Sequence, residues 1–214
     1  MKPKRFENPF PEKEVETPFY SEFRKPKNSE SRNREFLRED EIERLLEAAK
    51  KSKRLPLRNF CIILTSFRHG LRVSEASNLR WRDIDLNNAR MIVTRLKNGN
   101  TGTHYIYGSE LKTLNKLYKT KKSPYVFESD RGIKITDSGI RQLIAKLGEE
   151  AGFDFPIHPH MLRHSCGYYL ANKGLDTRLI QEWLGQVNIA NTVIYTRLSP
   201  NRFKAMQGIF DEKV

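Results

Sequence analysis

The chain has 214 residues, carries 39 Lys and Arg against 26 Asp and Glu, and has a formal net charge of +13. This length suits one folded domain, alone or with a tail. The charge favours a nucleic-acid partner over an anionic membrane. The sequence contains no apolar run of about 18 residues, and its charged N-terminus lacks the apolar segment of a secretory signal. We therefore expect neither a membrane-spanning helix nor secretion.

The cysteine content indicates the cellular compartment. Only Cys61 and Cys166 are present, and both lie in apolar segments that we predict to be helical. Two such residues are typical of small core side chains in a reducing environment, and not of a disulfide framework. The resulting prediction is a cytoplasmic protein.

The first 35 residues differ from the rest in composition. Residues 1–35 are rich in Lys, Glu, Pro, Asn and Ser without a sustained hydrophobic period, which predicts an extended basic tail. Its cations either follow a DNA backbone or only keep the tail soluble, and both interpretations stay open. These cations are Lys4, Arg5, Arg24, Lys25 and Lys27. From residue 36 the pattern becomes regular, so we predict one folded domain over residues 36–214.

Along that domain, helical spacing with capping residues and terminal glycines predicts a mainly α-helical fold. The predicted helices cover residues 39–50, 56–69, a short stretch from about Ser74, 109–119, 137–152, 159–173, 178–184, 191–198 and 201–213. Two strands, 90–97 and 103–107, flank a hairpin loop that contains Asn98-Gly99. Residues 83–88 are predicted as a turn and residues 125–127 as a short strand. The fold class is therefore mainly α with a small antiparallel β-sheet.

The segment from His158 to His164 concentrates three histidines and one arginine in seven residues. Pro159 suits the first turn of a helix, and in such a helix His160, Arg163 and His164 share one face. A helix N-terminus with a guanidinium and imidazoles offers directed donors to an anion. The segment thus predicts an anion site.

Zinc is an alternative ligand for the same segment. Histidines at i and i+4 on a helix can bind zinc, and His158, His160 and His164 are close in sequence. No HExxH glutamate is present and both cysteines are distant in sequence, so the anion is favoured and no metal is expected.

Three further residues are candidates for chemistry. Arg72 follows a glycine at a helix–helix corner, Lys97 lies at the tip of the predicted hairpin, and Tyr195 lies in an apolar helix near the C-terminus. Each has an ordinary alternative: a surface ion pair, a solvated loop charge, or a core tyrosine with a satisfied hydroxyl.

Several segments combine into a specific pattern. They are Gly70-Leu-Arg-Val-Ser-Glu75, Lys97 in a hairpin, His160-Met-Leu-Arg-His164, Leu184-Gly185 and Tyr195. In order and spacing they resemble the tyrosine recombinase (phage integrase) family, over roughly residue 36 to the C-terminus. Within that family, the runs 158–168 and 176–181 resemble the short fimbrial phase-switching recombinases.

The resemblance implies a site-specific recombinase that cuts and rejoins double-stranded DNA through a covalent 3′-phosphotyrosine, without metal or nucleotide cofactor. It implies a homo-tetramer on two DNA sites, formed from subunits that are monomeric or weakly associated when free. It also implies a location at a bacterial nucleoid or an origin in a mobile element. Inversion, integration and excision are not distinguished.

By the family pattern, Arg72 and Arg163 would hold the scissile phosphate, where two guanidiniums neutralise the charge of the pentavalent species. His160 would be the histidine of the second cluster, and Lys97 would protonate the leaving 5′ oxygen. Tyr195 would be the nucleophile, which needs a base or a cationic field because a free tyrosine has a pKa of about 10. Its hydroxyl is therefore expected to be accessible and close to the guanidiniums. Glu75 and His164 would orient Arg72 and Arg163.

The sequence departs from the family pattern at Gln186, where relatives usually carry His and sometimes Trp. The amide can donate one hydrogen bond but carries no charge or transferable proton. Loss of one donor typically costs about 3 kcal/mol in the barrier, so a slower enzyme is expected. The alternatives are a catalytically weakened DNA-binding regulator of the same fold and a type IB topoisomerase.

Both ends of the chain bear on assembly. Residues 1–35 stand where many relatives carry a full core-binding domain. The predicted last helix has an apolar stripe that packs either on its own domain or on a neighbouring subunit. The stripe consists of Phe203, Met206, Ile209 and Phe210.

Overall fold

The computed structural model of the chain describes residues 34–95 and 99–197. The predictions for the tail up to residue 33, for Lys97 and for the helix over residues 201–213 therefore lie outside the described residues. The described residues belong to one compact unit.

Within the described ranges the domain contains eight α-helices. They are α1 Glu39–Lys50, α2 Pro56–Arg68, α3 Val73–Asn78, α4 Gly108–Lys119, α5 Asp137–Glu150, α6 Pro159–Asn172, α7 Thr177–Leu184 and α8 Ala190–Arg197. Two of these helices have side-chain caps: Thr136 accepts a hydrogen bond from the Gly139 N–H at the start of α5, and Asp176 accepts from the N–H groups of Arg178 and Leu179 at the start of α7. Gly70 and Gly185 have φ of +56° and +60°, which suits glycines that end helices. The predicted fold class, mainly α with a small antiparallel sheet, is confirmed.

The sheet has three antiparallel strands in the order β1-β2-β3. They are β1 Ile84–Asp85, β2 Arg90–Val93 and β3 Gly102–Tyr105. The predicted turn at 83–88 was wrong at its start, because Ile84 and Asp85 pair with β2 as strand β1, and the turn follows over residues 86–89. The predicted strand at 125–127 was also wrong, since Tyr125 forms only an isolated bridge with Arg80.

Helix α6 lies between two apolar clusters. Met161 and Leu162 belong to the main core, which α1, α2, α5 and the sheet also form, whereas Cys166 belongs to a smaller cluster with α7 and α8. Full burial of one such aliphatic side chain stabilises the fold by about 1.5–3 kcal/mol. Both cysteines are free and buried, as predicted. In the part of the chain with a described structure, no helix combines the length and apolar character needed to cross a bilayer.

Candidate active site

A cavity of about 510 Å³ opens where the start of α3, the first turns of α6, and α8 meet. Its wall comprises Arg72, Gly99, His160, Arg163, His164, Gly185, Gln186, Val187, Asn188, Ala190, Asn191, Ile194 and Tyr195. The fold thus brings to one cavity the predicted candidates Arg72, His160, Arg163, Gln186 and Tyr195. Lys97 lies outside the described residues, although Gly99, two positions later, borders the cavity.

Arg72 is held at the mouth of the cavity by Glu75. The Arg72 guanidinium donates to Glu75 at 2.7 Å, and the Arg72 backbone N–H donates to the other carboxylate oxygen at 2.9 Å. Burial alone would raise the pKa of Glu75, but Arg95 and Arg72 outweigh it and the pKa is lowered. Glu75 therefore stays ionised and orients Arg72, whose side chain remains 28% exposed.

Arg163 is buried under the cavity floor. Its two terminal nitrogens donate to the backbone carbonyls of Gly70 at 2.6 Å and of Leu184 at 2.7 Å. Burial lowers its pKa to about 10, with a further contribution from the nearby Arg72 and Arg95 charges. The group stays charged near neutral pH. A guanidinium has five N–H donors, so the two carbonyl bonds use only part of its capacity.

Arg95 is a residue that sequence reasoning missed. Its side chain is 0% exposed and donates to Glu75 at 2.8 Å. It also donates to the carbonyls of His69 at 2.8 Å and Trp183 at 2.5 Å. A side chain at Gly185 would collide with it. The sequence contained a signal for this role. Arg95 follows Met91 and Val93 in the alternation that points every second side chain inward, and a charge at an inward position requires a buried partner.

Arg95 and Arg163 together connect two parts of the site. Both guanidiniums donate to Gly70 O and to carbonyls at the end of α7. The C-terminus of a helix carries partial negative charge, which favours cations there. The corner that carries Arg72 and the loop that carries Gln186 are therefore joined through two buried cations.

Tyr195 lies on α8 with its hydroxyl 3.0 Å from His164 Nδ1. Gly167 is in close contact with its ring, since a Cβ there would lie 2.7 Å from two ring carbons. Tyr168 packs edge-on at 5.0 Å between centroids. Burial raises the pKa of Tyr195 to about 12, while Arg163 and Gln186 oppose that rise.

Two expectations about this region need correction. Tyr195 is 1% exposed, so its hydroxyl is covered where an accessible one was expected. The physical reason is its packing against α6, although it still borders the cavity that the guanidiniums line. His164 was expected to orient Arg163, yet it contacts Tyr195, and Arg163 is oriented by backbone carbonyls.

The other polar residues of the wall have distinct partners. His160 lies edge-on to His164 with ring centroids 4.5 Å apart, and partial burial and the Arg163 charge lower its pKa. His158, the N-cap residue of α6, lies outside the wall, and its Nε2 is 3.3 Å from a Glu35 carboxylate oxygen. Within residues 34–95 and 99–197, no group of three His, Cys, Asp or Glu is placed to hold a metal.

Gln186 is oriented by Thr192. The buried Thr192 hydroxyl donates to the Gln186 amide oxygen at 2.6 Å. Because the oxygen is occupied in this way, the amide N–H groups are the donors that Gln186 can offer to the cavity. Gln186 thus presents a neutral donor to the cavity.

The α-helical fold, the small sheet and this cationic cavity beside a tyrosine define a tyrosine-type recombinase. Residues 35–202 match the model of the phage integrase family, and the chain belongs to that family. The predicted resemblance is therefore confirmed.

Relatives of known name support this assignment. The type 1 fimbriae regulatory protein FimB of Escherichia coli K12 is 41% identical over 189 residues, covering 86% of this chain and 92% of FimB. The tyrosine recombinase XerC of Bacillus pumilus is 33% identical over 180 residues, covering 79% of this chain and 59% of XerC. The likeness to FimB extends over nearly its whole length, in keeping with the predicted resemblance to fimbrial recombinases.

Solved structures share the fold. XerA recombinase superposes with a TM-score of 0.70 at 29% identity, covering 84% of this chain and 66% of XerA. XerH site-specific recombinase, bound to its difH substrate in a pre-cleavage complex, gives a TM-score of 0.68 at 24% identity. This chain spans 55% of XerH, and at that identity the likeness concerns the fold alone.

Proposed function

We propose that this protein is a site-specific recombinase that cuts and rejoins double-stranded DNA through a covalent 3′-phosphotyrosine formed by Tyr195. The observation that carries the proposal is the convergence of Arg72, Arg163 and Tyr195, which are distant in sequence, on one cavity. Two guanidiniums suit a phosphodiester, and a phenol beside them suits its displacement. The net charge of +13 favours the same partner.

In the proposed reaction the Tyr195 oxygen attacks phosphorus and the bond from phosphorus to the 5′ oxygen breaks. Arg72 and Arg163 neutralise the charge on the non-bridging oxygens, and His160 and Gln186 donate hydrogen bonds to the same phosphate. Lys97 protonates the departing oxygen. The phosphotyrosine conserves the bond energy, so rejoining to a new strand requires no nucleotide cofactor.

The covered state of Tyr195 adds one requirement. With the residue 1% exposed, a phosphate can reach the hydroxyl only after the cavity wall opens. Gln186, Asn191 and Ile194 belong to that wall and are close to Tyr195 in sequence or in space. Opening on DNA binding is therefore part of the proposal.

Assembly and location follow the same proposal. We infer that residues 36–214 make up the catalytic domain and that the protein acts as a homo-tetramer that holds two DNA sites. A chromosomal or mobile-element substrate implies action in the cytoplasm, at the nucleoid.

Trapping the covalent intermediate tests the function. On nicked duplexes built from sequences that the protein selects out of a random library, the short fragment between the cleavage site and the nick, which carries the released 5′ hydroxyl, diffuses away and adduct accumulates. We expect a protein–DNA adduct that is lost in Tyr195→Phe and retained in Tyr169→Phe, a tyrosine of the same domain that packs on Phe67.

Other results would point elsewhere. Shifted DNA bands without adduct under any condition would identify a DNA-binding regulator. Relaxation of supercoils without site preference would identify a topoisomerase.

Gln186 supplies a second prediction. Replacing Gln186 by histidine is expected to raise the single-turnover cleavage rate by on the order of 10²-fold, because an imidazole adds a charged donor to the phosphate. Asn191→His places the same group elsewhere on the cavity wall and serves as the control. An equal gain in both variants, or no gain in Gln186→His, would contradict a phosphate contact at position 186.

A further inference from the structure

The proposed chemistry leaves one proton without an acceptor. Tyr195 must lose the proton of its hydroxyl as the oxygen attacks phosphorus, and burial raises its pKa to about 12. Arg163, the neighbouring cation, is fully protonated and cannot accept it. An acceptor must be a neutral base within hydrogen-bond distance of the Tyr195 oxygen.

His164 meets that geometric requirement. Its Nδ1 lies 3.0 Å from the Tyr195 hydroxyl oxygen. With the ring proton on Nε2, Nδ1 is the acceptor and the tyrosine hydroxyl is the donor. Gln186, whose side-chain hydrogen bond opposes the rise in the Tyr195 pKa, has an amide that cannot take up a proton.

The contact is built into the packing of α8 on α6. His164 directly follows Arg163 on α6, so the residue that contacts the hydroxyl and the residue proposed to contact the phosphate are adjacent on one helix. Gly167, one turn later, lets the Tyr195 ring approach α6 at distances that any side chain would prevent. The Tyr195 hydroxyl is thereby aimed at position 164.

We propose that His164 is the general base of strand cleavage, an inference that rests on the proposed role of Tyr195 as nucleophile. The proton passes from the Tyr195 oxygen to His164 Nδ1 as the bond from oxygen to phosphorus forms. The bond from phosphorus to the 5′ oxygen breaks, and that oxygen receives a proton from the proposed acid Lys97. In rejoining, a 5′ hydroxyl attacks the phosphotyrosine and gives its proton to the neutral amine of the proposed residue Lys97, while His164 returns its proton to the departing phenol.

The surroundings of His164 keep it neutral in the free protein. Burial lowers its pKa to about 4, and His160, Arg163 and His158 add to that effect from the same helix and its N-cap. From α8 it faces the uncharged Tyr195. A bound phosphodiester adds negative charge to the cavity, which favours the imidazolium and raises the proton affinity of His164 when it is needed.

His160 is the natural comparison. It lies on the same helix face, 4.5 Å from His164 between ring centroids, and it borders the cavity. The hydroxyl contact of Tyr195, however, is made with His164. In this arrangement His160 supports the phosphate and His164 serves the nucleophile.

The test measures the rate of adduct formation on the nicked duplexes for His164→Gln and for the matched variant His160→Gln. Both are combined with Tyr195 or with 3,5-difluorotyrosine placed at position 195, a more acidic phenol. General-base catalysis typically contributes 10²–10⁴-fold, and its importance falls as the nucleophile becomes more acidic. We expect His164→Gln to slow adduct formation by on the order of 10²-fold when residue 195 is tyrosine. With difluorotyrosine the same substitution should slow it by a factor that is about ten times smaller. His160→Gln should slow both phenols equally.

The pH dependence supplies an independent readout. A base must be unprotonated, so the wild-type rate should fall as pH falls through the pKa of His164 in the DNA complex. That limb should vanish in His164→Gln and persist in His160→Gln. A folded His164→Ala variant should regain rate with added imidazole.

The outcomes separate the inference from the function on which it rests. Wild-type protein that forms no adduct overturns the proposed function. An adduct that depends on Tyr195 and forms at the wild-type rate in His164→Gln overturns only the base assignment. Equal slowing of both phenols in His164→Gln, with an unchanged pH limb, also overturns it, because His164 would then only position the tyrosine.

Discussion

Replacing Arg72 by alanine is expected to slow single-turnover strand cleavage by on the order of 10³-fold, the range seen when a charged donor to a reacting phosphate is removed. The guanidinium is held by Glu75 at 2.7 Å and stays 28% exposed at the cavity mouth. Stability should change by less than about 1 kcal/mol, because the lost pair is partly exposed and Glu75 keeps Arg95. Adduct formation and urea unfolding measure the two quantities.

Arg82→Ala is the control for Arg72→Ala. It removes the same charge from a side chain that is 75% exposed and makes one loose ion pair at 3.8 Å with Asp83. Both variants should weaken non-specific DNA binding alike, since that term follows the number of phosphate-neutralising cations. Equal cleavage rates in the two variants would exclude Arg72 from the reacting phosphate.

Arg95→Met is expected to lower the free energy of unfolding by about 3–5 kcal/mol, as when one partner of a buried ion pair is removed. The side chain is 0% exposed and its loss deprives Glu75 of a 2.8 Å partner. The carbonyls of His69 and Trp183 lose their donor as well. Urea denaturation followed by tryptophan fluorescence measures the change.

The matched control is Arg90→Met, the same substitution on β2. Arg90 is exposed and contacts the Tyr105 ring at 5.4 Å. Its effect should stay within about 0.5 kcal/mol. A comparable loss in both variants would show that Arg95 stabilises the fold no more than a surface arginine does.

The helices could be predicted from sequence because their signals are local. Thr136 and Asp176 cap helices with their own side chains, and Gly70 and Gly185 end helices in a conformation that glycine tolerates. The convergence of Arg72, Arg163 and Tyr195 was expected only through the family resemblance. No local rule brings three distant segments together.

The parts that escaped prediction depend on tertiary partners. Strand β1 forms because two residues meet β2, and the roles of Arg95 and His164 depend on α7 and α8. A buried cluster shows the same limit: His69 lies 3.1 Å from His104 and 3.0 Å from Glu110, residues that come from three different elements. Taken separately along the chain, these residues look like ordinary polar positions.

The covered tyrosine has a consequence for how the protein searches a genome. Most encounters with chromosomal DNA are brief and at the wrong sequence, and a nick at any of them would be damage. Since the phenol of Tyr195 is covered in the protein alone, only a binding event strong enough to open the cavity wall beside it leads to chemistry. The DNA target is then selected twice, first by the lifetime of the complex and again by the uncovering of the nucleophile.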